Sequence, residues 1–76
     1  MEFEKLQMII AEVLSLKPED IRMDMSFVED LGADSMEIFQ IAMGIEEEFD
    51  IAIDEAEAAG ITTVEQAYLA ITEQGS

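Results

Sequence analysis

Apolar residues recur along this chain at the spacing of helix turns. Phe3, Leu6, Ile10, Val13 and Leu14 fall three or four positions apart, which predicts a first helix over about residues 2–16. Pro18 stands just past its end, a common place for proline. A second helix is predicted over residues 35–49. Its apolar set is wider than one stripe: Met36, Ile38, Phe39, Ile41, Ala42, Met43, Ile45 and Phe49. A surface helix of a small bundle needs only one buried face, so the excess implies residues that meet a partner or a ligand. Gly44 inside this helix costs about 1 kcal/mol against alanine. It either admits a closely packed neighbour or is drift.

A short third helix is predicted between Asp54 and Ala59, after Ile51 and Ile53, with Gly60 as its stop. A last helix runs over about residues 64–72, with Val64, Ala67, Tyr68 and Ile71 as its stripe. Thr63 stands at its cap and Gln66 at the reciprocal position. Gln74, Gly75 and Ser76 are expected to fray. The stretch from Lys17 to Ala33 is long for a connection in a compact domain, and such loops are usually functional or pinned. Ile21, Met25, Phe27 and Leu31 supply the pins, with Phe27 as the leading anchor. No segment reads as a strand. The expected fold is all-α: a small four-helix bundle of three longer helices and one short, with a long loop between the first two. At 76 residues the chain makes one domain, 1–76.

The start of the second helix holds the most informative residues. Gly32 and Ala33 read as a turn, Asp34 as an N-cap, and Glu37 lies three positions on at capping-box spacing. If Asp34 caps the helix, Ser35 takes the first helical position, where its hydroxyl is not needed for capping and is free to face water; taken alone, an Asp-Ser pair reads equally as Ser35 being the N-cap itself or a plain first-turn serine. Backbone N–H groups at a helix start are unpaired and the helix dipole favours an anion there. A phosphodiester on Ser35 would sit where a helix end best tolerates one.

Composition narrows the chemistry. The chain has no Cys and no His, and its 19 acids stand against 3 bases for a net charge of −16. Without histidine, and with lysine only at Lys5 and Lys17, Ser35 has no credible base to make it a nucleophilic catalyst. Beyond Arg22 there is no base at all, so nucleic acid and anionic membranes would be repelled while basic protein surfaces are attracted. Half the residues are hydrophobic, which argues against charge-driven disorder. The uncharged run from Ile38 to Ile45 is too short to cross a bilayer, which takes about 20 residues. The acidic N-terminus is unlike a signal or transit peptide, so a cytoplasmic location is expected.

The run Asp30-Leu31-Gly32-Ala33-Asp34-Ser35-Met36-Glu37 resembles the 4′-phosphopantetheine attachment motif of acyl carrier proteins, whose core is Asp-Ser-Leu. The resemblance continues upstream through Ser26-Phe27-Val28-Glu29. Downstream it takes in Ile45-Glu46-Glu47-Glu48-Phe49-Asp50 and Ile61-Thr62-Thr63-Val64. It spans nearly the whole chain and is similar to free-standing carriers of bacterial fatty-acid synthesis. The resemblance implies a protein that is not an enzyme but a substrate of a phosphopantetheinyl transferase. That enzyme would transfer the arm from coenzyme A to Ser35, and the arm's thiol would carry acyl groups as thioesters.

Further expectations concern the surface and the interior. Asp30, Asp34, Met36, Glu37, Glu46 and Glu47 would form the surface met by basic partner enzymes. Each exposed ion pair is worth about 0–1 kcal/mol, which favours fast encounter and transient complexes. Ile38, Phe39, Ile45, Ala59, Ile61 and Tyr68 are candidates to line a pocket for the acyl chain, or to be ordinary core. No metal ligand is expected, since the Asp-x-Asp-x-Asp-Gly calcium pattern is missing. A monomer is expected. The chain departs from the family at Gln40, where Glu is usual, at Asp54, where Pro is usual, and at Ala59-Gly60, where a charged pair is usual; Ile38 and Phe39 are bulkier than usual. These departures leave open a dedicated carrier for polyketide or another acyl pathway. Two other classes stay open: an acidic helical adaptor with no prosthetic group, and a calcium-binding acidic protein, which the missing calcium pattern argues against but diffuse binding of divalent ions to the acids leaves open.

Overall fold

The computed structural model describes residues 2–75. Its four helices are α1 (Glu2–Leu14), α2 (Ser35–Phe49), α3 (Glu55–Ala59) and α4 (Val64–Gly75). α1 packs on α2 and α4, and α2 also meets α3 and α4. The architecture is the all-α four-helix bundle expected, with the long connection between α1 and α2. α1 stops two residues before the expected end. Ser15 turns into the left-handed region at φ 59°, where an L-residue cannot continue a right-handed helix, and the Leu16 amide bonds back to the Ala11 carbonyl. α4 runs past the expected stop to Gly75, and the fraying expected of Ser76 lies outside the described residues.

The helix limits are set by their caps. Asp34 accepts the Glu37 amide at 2.8 Å while the Glu37 carboxylate accepts the Asp34 amide at 3.1 Å, a closed capping box. Asp54, which stands where proline is usual, caps α3 by accepting the Glu57 amide at 2.7 Å. At α4 the Thr63 hydroxyl accepts from Gln66 N–H at 3.2 Å, and the Gln66 side-chain oxygen accepts from Thr62 N–H and Thr63 N–H.

The core gathers Leu6 and Ile10 from α1, Ile41 and Ile45 from α2, and Val64 and Ala67 from α4. The long connection contributes its own members. Phe27 and Ile21 are fully buried, and Met25 and Leu31 pack half-buried against the same cluster. Burying side chains of this size stabilises by roughly 1.5–3 kcal/mol each. The connection is thus a second layer of core. It opens with a 3-10 turn over Pro18–Asp20, which the apolar pattern does not reveal. It is joined to the start of α4 by an antiparallel bridge between Ser26 and Thr63. There Phe27 N–H bonds to the Thr62 carbonyl at 3.0 Å and Val64 N–H to the Met25 carbonyl at 3.0 Å.

Gly44 has a structural reason. A Cβ built on it would stand 2.9 Å from Ile9 Cγ2, so the glycine lets α1 lie close against α2.

Candidate functional site: the start of α2

The Ser35 end of α2 is held from behind by the connection. Ser26 organises the turn: its carbonyl accepts from Asp30 N–H and Leu31 N–H, and its own N–H donates to the Asp30 carboxylate at 2.7 Å. Gly32 then takes a left-handed φ of 69°, a conformation that costs glycine little. Ala33, buried, donates its N–H to the Phe27 carbonyl at 2.8 Å. The fully buried ring of Phe27 and this bond together set where Asp34 begins the helix.

Ser35 comes next, on an exposed first turn. The cap is already supplied by Asp34, and among the described residues the Ser35 hydroxyl has no protein hydrogen-bond partner. The first-turn amides and the dipole give this end a partial positive character. The site therefore offers a solvent-facing primary alcohol beside groups that stabilise a phosphate, with neither histidine nor lysine beside it in the sequence to act as its base.

The expected recognition residues divide. Met36 is 71% exposed, so it is a surface residue and not core. Glu47 is exposed on α2. Asp30, Asp34 and Glu37 stand beside Ser35, but each carboxylate also accepts a backbone amide in the local fold. Glu46 is half-buried, and its carboxylate accepts Ile53 N–H at 2.9 Å, tying α2 to the segment that leads into α3.

The expected acyl-pocket residues also divide. Ile45 and Ile61 are buried, and Ile38 and Tyr68 are half-buried against the core. Tyr68 packs edge-on to Phe3 with ring centroids 6.0 Å apart. Ala59 is exposed and Ala58 takes the buried position, because the register of α3 turns the preceding residue inward. Phe39 borders a cleft of about 220 Å³ between α2 and α3, whereas Ile61 borders a different groove between α3 and α4. Met43 is not among the expected site residues, yet it is 55% exposed and lies two turns along the Met36 face. Its spacing of seven from Met36 is the signal that could have found it. Among the described residues no group of three or more acids is arranged to hold a metal ion, and no helix is long and apolar enough to cross a membrane.

The fold thus sets an exposed serine at an anion-tolerant helix start on a small helical bundle. The phosphopantetheine attachment site family matches residues 4–71. A crystal structure of an acyl carrier protein from Thermotoga maritima is similar over 97% of this chain and 91% of its own, at 26% identity and a TM-score of 0.75. A chain in the structure described as the ishigamide ketosynthase/chain length factor is 29% identical over 96% of this chain and 92% of that one, with a TM-score of 0.73. This chain belongs to the phosphopantetheine attachment site family, with the fold of an acyl carrier protein. Such a domain is a carrier and not itself a catalyst, and 4′-phosphopantetheine is its covalent prosthetic group. The start of α2 fits that group: the hydroxyl is open, its cap is provided by another residue, and the helix end suits a phosphodiester.

Proposed function

We propose that Ser35 carries the 4′-phosphopantetheine arm and that the protein shuttles acyl intermediates between enzymes of fatty-acid or related lipid biosynthesis. The observation that supports this most is the free, exposed hydroxyl of Ser35 directly behind a complete Asp34–Glu37 capping box. The arm supplies a terminal thiol, on which acyl groups travel as thioesters. The chain's own part is to present the serine, to keep the arm at a water-exposed edge, and to meet its partners. Those partners are a phosphopantetheinyl transferase and acyl-processing enzymes with basic docking surfaces, met by a monomer in the cytoplasm.

A second reading is a dedicated polyketide-type carrier. The similarity to a chain in the ishigamide ketosynthase/chain length factor structure favours it, as do Gln40 and Phe39 on the exposed side of α2. Both readings need the same modification. The protein is incubated with coenzyme A, magnesium and a broad-specificity transferase, beside Ser35→Ala, and intact masses are taken. One phosphopantetheine gained by the wild type alone supports the carrier reading. No gain in a folded sample, with a working control carrier, leaves an acidic helical adaptor as the better reading, or a carrier with a very selective transferase. Loaded samples offered separately to fatty-acid and polyketide ketosynthases then divide the two pathways by which enzyme elongates.

A further inference from the structure

The chain has six methionines and no cysteine, so a peroxide meets thioethers in it and no thiol. The sulfurs are unequally placed. Met36 is 71% exposed, Met8 63% and Met43 55%. Met23 is half-buried, and Met25 is half-buried against the core cluster. The most open of these sulfurs belongs to the residue directly after Ser35.

Packing gives no reason for a methionine there, since Met36 takes no part in the core. Leucine, which the attachment motif carries at this place, is as apolar and as good a helix former. What methionine adds is a sulfur that can be oxidised and then reduced again.

We propose that Met36 is a reversible oxidation site that governs the loading of Ser35. Hydrogen peroxide is the oxidant. A lone pair of the Met36 sulfur attacks one peroxide oxygen, so an S–O bond forms and the O–O bond breaks. The displaced hydroxide takes the proton of the transferred oxygen and leaves as water. Sulfur gives up two electrons and becomes a sulfoxide. A dithiol reverses the step through a methionine sulfoxide reductase: the oxygen leaves as water and the dithiol closes to a disulfide.

The consequence follows from position. An enzyme that closes over the Ser35 hydroxyl also covers the next side chain, about 1.5 Å further along the helix axis. A thioether loses little on leaving water, whereas a buried sulfoxide oxygen without a donor is costly. The flanking side chains supply no donor. The Asp34 and Glu37 carboxylates are acceptors, and each already takes a backbone amide of the capping box. This rests on the carrier reading above and adds a control to its site.

The apo protein is treated with hydrogen peroxide, and its sulfoxides are mapped by mass spectrometry of its peptides. Met36 is expected to gain oxygen first and Met25 late. After removal of the peroxide, the initial rate of transferase loading with coenzyme A and magnesium is read as mass gain. Oxidation should lower kcat/KM about tenfold, mainly through KM, with an unchanged circular dichroism spectrum. Sulfoxide reductases of both stereospecificities, with a dithiol, should restore the rate. Each variant is compared with its own untreated sample. Met36→Leu should lose less than about twofold on the same treatment, since it has no sulfur there to become polar. Met8→Leu and Met43→Leu should lose as much as the wild type.

Full conversion of Met36 with no change in loading overturns the proposal. So does an equal loss in Met36→Leu, protection by Met43→Leu in its place, or a loss of helical signal on oxidation, which would move the effect to Met25. Untreated wild type that never loads overturns the carrier reading instead, while the peptide map still reports the oxidation of Met36.

Discussion

α2 and α4 begin with the same local device and end up in opposite surroundings. Both carry a capping box, Asp34 with Glu37 and Thr63 with Gln66. At α4 the first helical residue is Val64, fully buried, and its N–H is taken by the Met25 carbonyl. At α2 the first helical residue is Ser35, exposed, and its hydroxyl has no protein partner among the described residues. A capping box therefore marks a helix start and says nothing of use. What differs is the residue next after the cap and whether another segment covers it.

The contrast can be broken at several points. The largest effect is expected from Ser35→Ala, which should abolish loading by the transferase while leaving the melting curve unchanged; a mass gain in this variant would refute the site. Phe27→Ala should come next. It removes the fully buried ring that anchors the connection in the core, at a cost of about 3–5 kcal/mol. Chemical denaturation should find the domain largely unfolded at room temperature, since a chain this short has little stability in reserve.

Cap removal compares the two ends directly. Asp34→Ala and Thr63→Ala should each destabilise by about 1 kcal/mol. Only Asp34→Ala should also slow loading, because only that cap stands beside the serine; equal loading by both variants would erase the distinction. The smallest effect is the response to salt. Self-repulsion at a net charge of −16 should make added salt raise Tm by a few degrees, read by a thermal scan. A flat response would mean that the acids are already accommodated by the fold.

Much of this was legible in the sequence. The limits of α2 and its box are local, spelled by Asp34, Glu37 and an apolar period, and they appear where the sequence places them. Phe27 and Ile21 were readable as anchors because apolar residues in a long loop must be buried somewhere. What could not be read was non-local. The Ser26–Thr63 bridge pairs backbone groups, which carry no side-chain signal. Glu46 looks like any other acid of its run until the fold brings Ile53 N–H to it. The exchange of Ala59 for Ala58 is a one-residue register matter in a helix of one turn, too short to show a period.

That bridge has a consequence for the order in which the molecule is assembled. The turn that delivers Asp34 is fastened to Phe27, and Phe27 is fastened to Thr62, far along the chain. The entropy of closing so long a loop must be met before those bonds reward it, so α1 and α2 can coil early while their junction stays loose. On a ribosome the stretch before Ser35 is unsecured until residues near Val64 have emerged. Ser35 is made before the segment that secures its surroundings, and its native setting is completed only when the start of α4 arrives.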